Sequence, residues 1–259
     1  MKTIAIEGCD IAVRTFGSGL PLVVIAGGPG LSSEYLAPLE ALQDRHKVVL
    51  FDQPGCGASV SSLPPTARQA IDATAAVIRS LQTDRFALAA HSWGAYLAAA
   101  ACLELSASPT STVLFNPVPL DRHGFDTVGA RLVQRVEPEI LKRIGELSQE
   151  GTAEAGRELM RLAMPAYCGR TRRLPDVYLN YNIATADSVN ASLNGYDFRS
   201  AVPKMGNLTL VFGSTDYIGQ SDFADVAPSA KRVTLDGGHF SMLDSPEELL
   251  NVLRESIGT

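Results

Sequence analysis

The chain has 259 residues, 46% of them hydrophobic, enough for one large α/β domain with a substantial core. A net charge of −6, with no basic cluster denser than Arg170-Thr-Arg-Arg173, argues against a nucleic-acid surface, and that cluster reads as a solvated helix edge. The four cysteines, Cys9, Cys56, Cys102 and Cys168, lie far apart with no C-x-x-C, so they signal neither a metal site nor a disulfide framework. The apolar run Leu22–Ala26 is too short for a signal core or a membrane span, and a cytoplasmic protein with no membrane partner is expected.

In chain order, the alternation at Lys2–Glu7 and Ile11–Thr15 on either side of Gly8 predicts an edge hairpin, and Leu22–Ala26 a buried strand. Ser33–Leu42 has helical spacing, Lys47–Phe51 reads as another buried strand, and Thr66 caps a helix with an apolar face of Ala70, Ile71, Ala75, Ile78 and Leu81. The short apolar run Arg85–Ala90 leads into Ala90-His-Ser-Trp-Gly94, then a segment rich in helix formers and a strand at Thr112–Phe115. Alternation on this spacing means a mostly parallel sheet with helices on both faces. From Asp121 to Asp197 helical patterns dominate, among them Glu137–Ser148 and Glu154–Ala163. The sheet resumes at Leu208–Phe212 and Arg232–Leu235, and Ser245-Pro-Glu-Glu248 predicts a capping box on the last helix. The expected organisation is an α/β catalytic domain, residues 1–116 and 201–259, carrying a helical cap insertion, residues 117–200.

Strand, sharp turn and helix around Ser92 are the context of a nucleophile elbow, with small residues, Ala90 and Gly94, two positions to either side. Ala90 stands where the usual motif has glycine. A serine hydroxyl needs a base, and the base needs a partner that fixes its tautomer. Of the histidines, His239 lies in Asp236-Gly-Gly-His-Phe240, directly after the last predicted strand, and is the expected base. His46 is expected at the surface, His91 as a packed neighbour of the nucleophile, and His123 as a pocket candidate. Asp216, on the loop after Leu210–Gly213, is the expected acid, whereas Asp222 and Asp225 suit solvated or capping roles. The oxyanion donors should be the Trp93 backbone N–H and one from Ala26-Gly-Gly-Pro-Gly30, where Gly28 is preferred and Gly27 is second. Neither Gly-Lys-Ser/Thr nor G-x-G-x-x-G is present, which sets aside a phosphate cradle.

Gly27-Gly-Pro-Gly30, Asp52-Gln-Pro-Gly-Cys-Gly-Ala-Ser59, His91-Ser-Trp-Gly94, Gly213-Ser-Thr-Asp216 and Gly237-Gly-His239 together resemble the proline iminopeptidase group of α/β-hydrolases. The resemblance implies an α/β-hydrolase fold with an eight-stranded sheet, a helical cap over Ser92, and no cofactor or metal. It carries nucleophile, acid and base onto Ser92, Asp216 and His239, and gives Asp52 and Cys56 a loop-shaping role. The chain departs from the group at Ala26, where a histidine is usual, and in a short cap.

The expected activity is that of a serine hydrolase cleaving a small-molecule ester or amide through an acyl-enzyme, with an aminopeptidase as the leading specific version. An esterase, lactonase, thioesterase or acyltransferase is the alternative, and a hydrolase-derived small-molecule receptor a third. A substrate with a free ammonium would need a cap carboxylate. Asp187, with Asn182 beside it, is the candidate, followed by Glu137, Glu139 and Glu158.

Overall fold

The computed structural model describes residues 1–168 and 179–258, so the Arg170–Arg173 cluster lies outside the described residues. At the N-terminus β1 (Lys2–Ile6) and β2 (Cys9–Phe16) form the antiparallel edge hairpin. Then follow β3 (Leu20–Ile25), a 3₁₀ helix (Ser33–Asp44), β4 (His46–Phe51) and a two-residue strand β5 (Val60–Ser61). The central units are α1 (Ala67–Arg79), β6 (Ala87–His91), α2 (Gly94–Glu104) and β7 (Ser111–Phe115). Between β7 and the next strand the chain forms α3 (Arg122–Val133), α4 (Pro138–Glu150), α5 (Ala153–Cys168) and α6 (Ile183–Ala191). It closes with β8 (Asn207–Gly213), β9 (Lys231–Leu235), α7 (Ser241–Asp244) and α8 (Pro246–Ile257). Among the described residues no helix is long and apolar enough to cross a membrane.

The sheet runs β1-β2-β4-β3-β6-β7-β8-β9, with β5 pairing β2, and is parallel from β4 through β9. Successive side chains of a strand face opposite sides, so each strand feeds two cores. Val23, Ile25, Leu88 and Leu114 pack with α1 and α2, while Leu22, Val24, Ala89 and Val113 pack with Leu36 and Leu39 of the 3₁₀ helix and Leu249 and Leu253 of α8. Covering both faces is what lets the central strands be continuously apolar. Because β3 connects outward to β4 on one side and β6 lies on its other side, the sheet has a crevice at the carboxyl ends of β3 and β6, the position where open α/β sheets bind ligands.

Three local expectations change. Ser33–Asp44 is a 3₁₀ helix because Pro38 lies inside it, lacking an N–H and crowding the carbonyl four residues back. Ser245 does not cap α8; its hydroxyl donates to the Asp236 carbonyl, so it ties the last helix to the loop before His239. His46 is fully buried at the start of β4, opposite Leu20 of β3, and not at the surface. By contrast, Thr66 does cap α1, accepting from the Gln69 N–H at 3.3 Å while the Gln69 side chain accepts from the Thr66 N–H at 3.0 Å.

Candidate active site

Ser92 occupies the turn between β6 and α2 with φ +50°, a left-handed conformation that a residue with a Cβ adopts at a cost of order 1 kcal/mol. Neighbouring backbone holds it there. The Ser92 N–H donates to Phe115 O at 3.2 Å, and Ser92 O accepts from Ala95 N at 2.9 Å and Val118 N at 3.3 Å. Gly94 is required by close approach: a Cβ there would lie 2.6 Å from Ile25 O and 2.9 Å from Ala26 O. The start of α2 therefore sits directly on the end of β3, which brings the Ala26–Gly30 loop beside Ser92.

The loops after β8 and β9 complete a hydrogen-bonded chain. Ser92 Oγ lies 2.7 Å from His239 Nε2, and His239 Nδ1 lies 3.1 Å from both carboxylate oxygens of Asp216. An ionised carboxylate only accepts, so Nδ1 carries the proton and Nε2 is bare toward the serine hydroxyl. Burial pushes the Asp216 carboxyl up, but His239, Asn116 and the Ile218 N–H together hold it below the usual carboxylate range. Asn116, also left-handed at φ +50°, donates Nδ2 to Asp216 at 2.9 Å and to Gly238 O at 3.0 Å, while its Oδ1 accepts from the Ser241 hydroxyl at 2.6 Å. Arg135, just beyond α3, donates to the carbonyls of Thr215 and Asp216, each at 3.0 Å, and so fastens the acid's own backbone. Sequence reasoning missed Asn116 and Arg135. Asn116 had one available signal, since asparagine ending a strand is among the few residues that tolerate the left-handed region.

Neither alternative acid faces His239. Asp222 forms a two-pronged pair with Arg131 at 2.8 and 2.9 Å, and Asp225 is exposed. Asp52 shapes its loop, accepting from Ser33 N and Ser33 Oγ at 2.7 Å each and from Ala58 N at 2.9 Å, and Cys56 Sγ points at Pro54 O.

His91 is a buried neighbour of the nucleophile whose two ring nitrogens are both engaged, Nδ1 2.8 Å from Tyr35 Oη and Nε2 2.8 Å from the His239 carbonyl. A carbonyl only accepts, so Nε2 carries the proton. Burial, then the neighbouring His239, lowers the His91 pKa to about 3, and the ring is neutral. The unfolded chain takes up that proton below about 6.5 and the native state does not until about 3, so acidification favours unfolding across this window. At pH 4 this single group should cost about 3 kcal/mol of stability relative to pH 7. Urea unfolding of wild type and His91→Gln at pH 7, 5.5 and 4.5 checks it: the wild type should lose stability more steeply, by about one proton's worth of slope. Parallel slopes would show that His91 is protonated in the native state.

Above Ser92 lies a cavity of about 210 Å³, with Gly28, Ser92 and His239 at its floor. Its walls come from Phe125, Val128 and Leu132 of α3, Leu159 and Met160 of α5, and Tyr181. The cap residues expected to meet a substrate are elsewhere. Asn182 is exposed and caps α6, its Oδ1 accepting from Thr185 N at 3.1 Å and its Nδ2 donating to Gly55 O at 2.9 Å. Asp187, Glu137, Glu139 and His123 are exposed and do not line the cavity, and Glu158 pairs with Arg143. Spacing placed these residues in the right segment but did not tell which side of each helix faces Ser92. Gly27, too, is corrected. Its N–H is taken by Tyr35 Oη at 2.6 Å, and a Cβ there would meet His91 Nδ1 at 2.8 Å and Ser92 Cβ at 3.1 Å, so it is a spacer under the nucleophile. Of the two glycines, Gly28 is the one that lines the cavity, together with Pro29.

Known proteins share this architecture. The chain is 30% identical over 158 residues to a proline iminopeptidase of Heyndrickxia coagulans, a match over 59% of this chain and 54% of that protein, so it spans about half of that relative's length. The crystal structure of VinJ superimposes with a TM-score of 0.77 at 20% identity, covering 99% of this chain and 97% of that one. A malate-bound thermophilic esterase from Thermogutta terrifontis gives a TM-score of 0.74 at 20% identity, covering 98% and 95% of the two chains. At such identities these likenesses bear on the fold. The model of the alpha/beta hydrolase family matches residues 22–252. A match over that span, on a sheet whose strand ends bring Ser92, His239 and Asp216 together, means that the chain belongs to the alpha/beta hydrolase family.

Proposed function

We propose that this chain is a serine hydrolase that cleaves a small ester or amide through an acyl-enzyme, and that the segment 117–200 acts as its cap. The observation that carries the reading is the continuous Ser92–His239–Asp216 hydrogen-bond chain at the floor of a cavity. Ser92 Oγ attacks the acyl carbon as its proton passes to His239 Nε2, and Asp216, kept ionised by its donors, stabilises the imidazolium. The N–H groups of Gly28 and Trp93 receive the charge that develops on the carbonyl oxygen. His239 then gives its proton to the leaving group. Water, activated by the same imidazole, releases the acid and restores Ser92.

The cavity walls favour an uncharged acyl group. Each described wall residue is apolar, aromatic or, at Asn190, a neutral amide, and an ammonium without a carboxylate partner would be desolvated at a cost of several kcal/mol. The volume, about 210 Å³, lies below the usual range of ligand pockets and suits a small acyl chain. The likeness to a proline iminopeptidase favours a second reading, an aminopeptidase. Steady-state turnover of p-nitrophenyl butyrate against alanine and proline p-nitroanilides separates them. We expect multiple turnovers and a kcat/KM at least tenfold higher on the ester. Hydrolysis of the anilides at equal or higher kcat/KM would establish the aminopeptidase, and a single turnover with either would point to a receptor.

A further inference from the structure

A buried chain of hydrogen bonds runs beneath the site, from the residue after the nucleophile to the backbone of His239. The Trp93 indole Nε1 lies 3.2 Å from Gln53 Oε1, and Gln53 Nε2 lies 2.8 Å from Ala26 O and 3.2 Å from Gly27 O. The Gly27 N–H donates to Tyr35 Oη, Tyr35 meets His91 Nδ1, and His91 Nε2 meets His239 O. Donor chemistry fixes every orientation. An indole nitrogen only donates, so the Gln53 atom facing it is the oxygen, and the amide nitrogen faces the two carbonyls. With His91 neutral and protonated on Nε2, the Tyr35 hydroxyl donates to Nδ1 and accepts from Gly27.

The consequence is geometric. In a planar trans peptide the C=O and the following N–H point in opposite directions. Gln53 draws the Gly27 carbonyl toward itself, and the N–H on the other side of that peptide belongs to Gly28, which borders the cavity. The preceding peptide, Ala26–Gly27, is held at both ends, its carbonyl by Gln53 and its N–H by Tyr35. Glycine at 27 and 28 leaves this loop free to rotate its peptides, so its direction has to be imposed from outside.

We propose that Gln53 is the positioning residue of the oxyanion site: oriented by Trp93 and assisted by Tyr35 and His91, it aims the Gly28 N–H at the carbonyl oxygen of the substrate. The proposal rests on the serine-hydrolase reading above. Gln53 is 3% exposed and reaches no substrate, so it acts only through the loop. The same chain also holds the His239 carbonyl, which keeps the base and the oxyanion donor in register.

The test is kinetic, on the full chain with p-nitrophenyl butyrate as substrate and butylboronic acid as the tetrahedral analogue. Gln53→Met removes both donors to the loop at similar volume. We expect kcat to fall about 100-fold, near the loss seen when one oxyanion donor is deleted, with KM within about threefold and boronic acid affinity falling in step. Tyr35→Phe frees the Gly27 N–H without a large change of shape, and we expect about a tenfold fall in kcat with the same pattern. A kcat within threefold of wild type in Gln53→Met, or a fall in kcat with boronic acid affinity unchanged, overturns the proposal. Should Gln53→Met fail to fold, Tyr35→Phe decides by the same criteria. Fluorophosphonate labelling of the wild type separates the two readings: a label absent from Ser92 sinks the serine hydrolase itself, whereas a label on Ser92 with wild-type kinetics in the variants sinks only the role of Gln53.

Discussion

Ser92→Ala should reduce kcat on p-nitrophenyl butyrate by about 10⁴- to 10⁶-fold while leaving the protein folded. The loss follows from the site having one nucleophilic oxygen in line with His239 Nε2, at 2.7 Å. In triads of this kind the residual rate after losing the serine comes from oxyanion donors and binding alone. Folding should survive because the left-handed turn is set by backbone hydrogen bonds, from the N–H of residue 92 to Phe115 O and from Ala95 N and Val118 N to the carbonyl of residue 92, none of which uses the hydroxyl. Alanine keeps the strain and removes only a polar group, so unfolding in urea should shift by less than about 1 kcal/mol. Intact-mass analysis after fluorophosphonate treatment should show one adduct on the wild type, at Ser92, and none on the variant. Activity within tenfold of wild type, or an adduct on another residue, would remove Ser92 from the mechanism.

The parts of this site that were legible in the sequence are those fixed by local structure. Ser92, Asp216 and His239 each follow the carboxyl end of a strand, and a parallel sheet gathers such ends at one edge whatever the intervening sequence does. The fold class was legible for the same reason, because periodicity reports which faces of an element are buried. What escaped depends on contacts between distant segments. Gln53 and Tyr35 meet the Gly27 loop, and Asn116 meets Asp216 across 100 positions, and no spacing rule reports such pairs. The two-residue β5 is too short to have a period. Among the helices between β7 and β8 the illegible part was direction: the Asn182 side chain is consumed in capping α6 and binding Gly55 O. Ser245 has the right spacing for a capping box, yet the Asp236 carbonyl claims its hydroxyl.

Asp216→Asn should cost about 10⁴-fold in kcat, and the structure supplies a reason specific to this site. Among the described residues, the hydrogen-bond partners of the carboxylate are all donors: His239 Nδ1 at 3.1 Å from both oxygens, Asn116 Nδ2 at 2.9 Å from Oδ2, and the Ile218 N–H at 3.3 Å from Oδ1. An asparagine amide has one acceptor end and one donor end, so its NH₂ must face the Asn116 amide or the Ile218 N–H. Asn116 cannot turn to relieve the conflict, because its Nδ2 also donates to the Gly238 carbonyl at 3.0 Å, which only accepts, and its Oδ1 accepts from the Ser241 N–H at 3.4 Å, which only donates. The NH₂ also faces His239 and favours the tautomer bare at Nδ1, which puts the proton on Nε2. His239 then donates toward Ser92 Oγ and cannot take its proton, the outcome that lowers rate about 10⁴-fold in other triads with the geometry left intact. The control is Asp222→Asn, which breaks the pair with Arg131 away from the reacting atoms and should change kcat by no more than a few-fold. A nearly silent Asp216→Asn together with a severe Asp222→Asn would transfer the role of the acid to Asp222; a large loss confined to Asp216 leaves it with the carboxylate that His239 contacts.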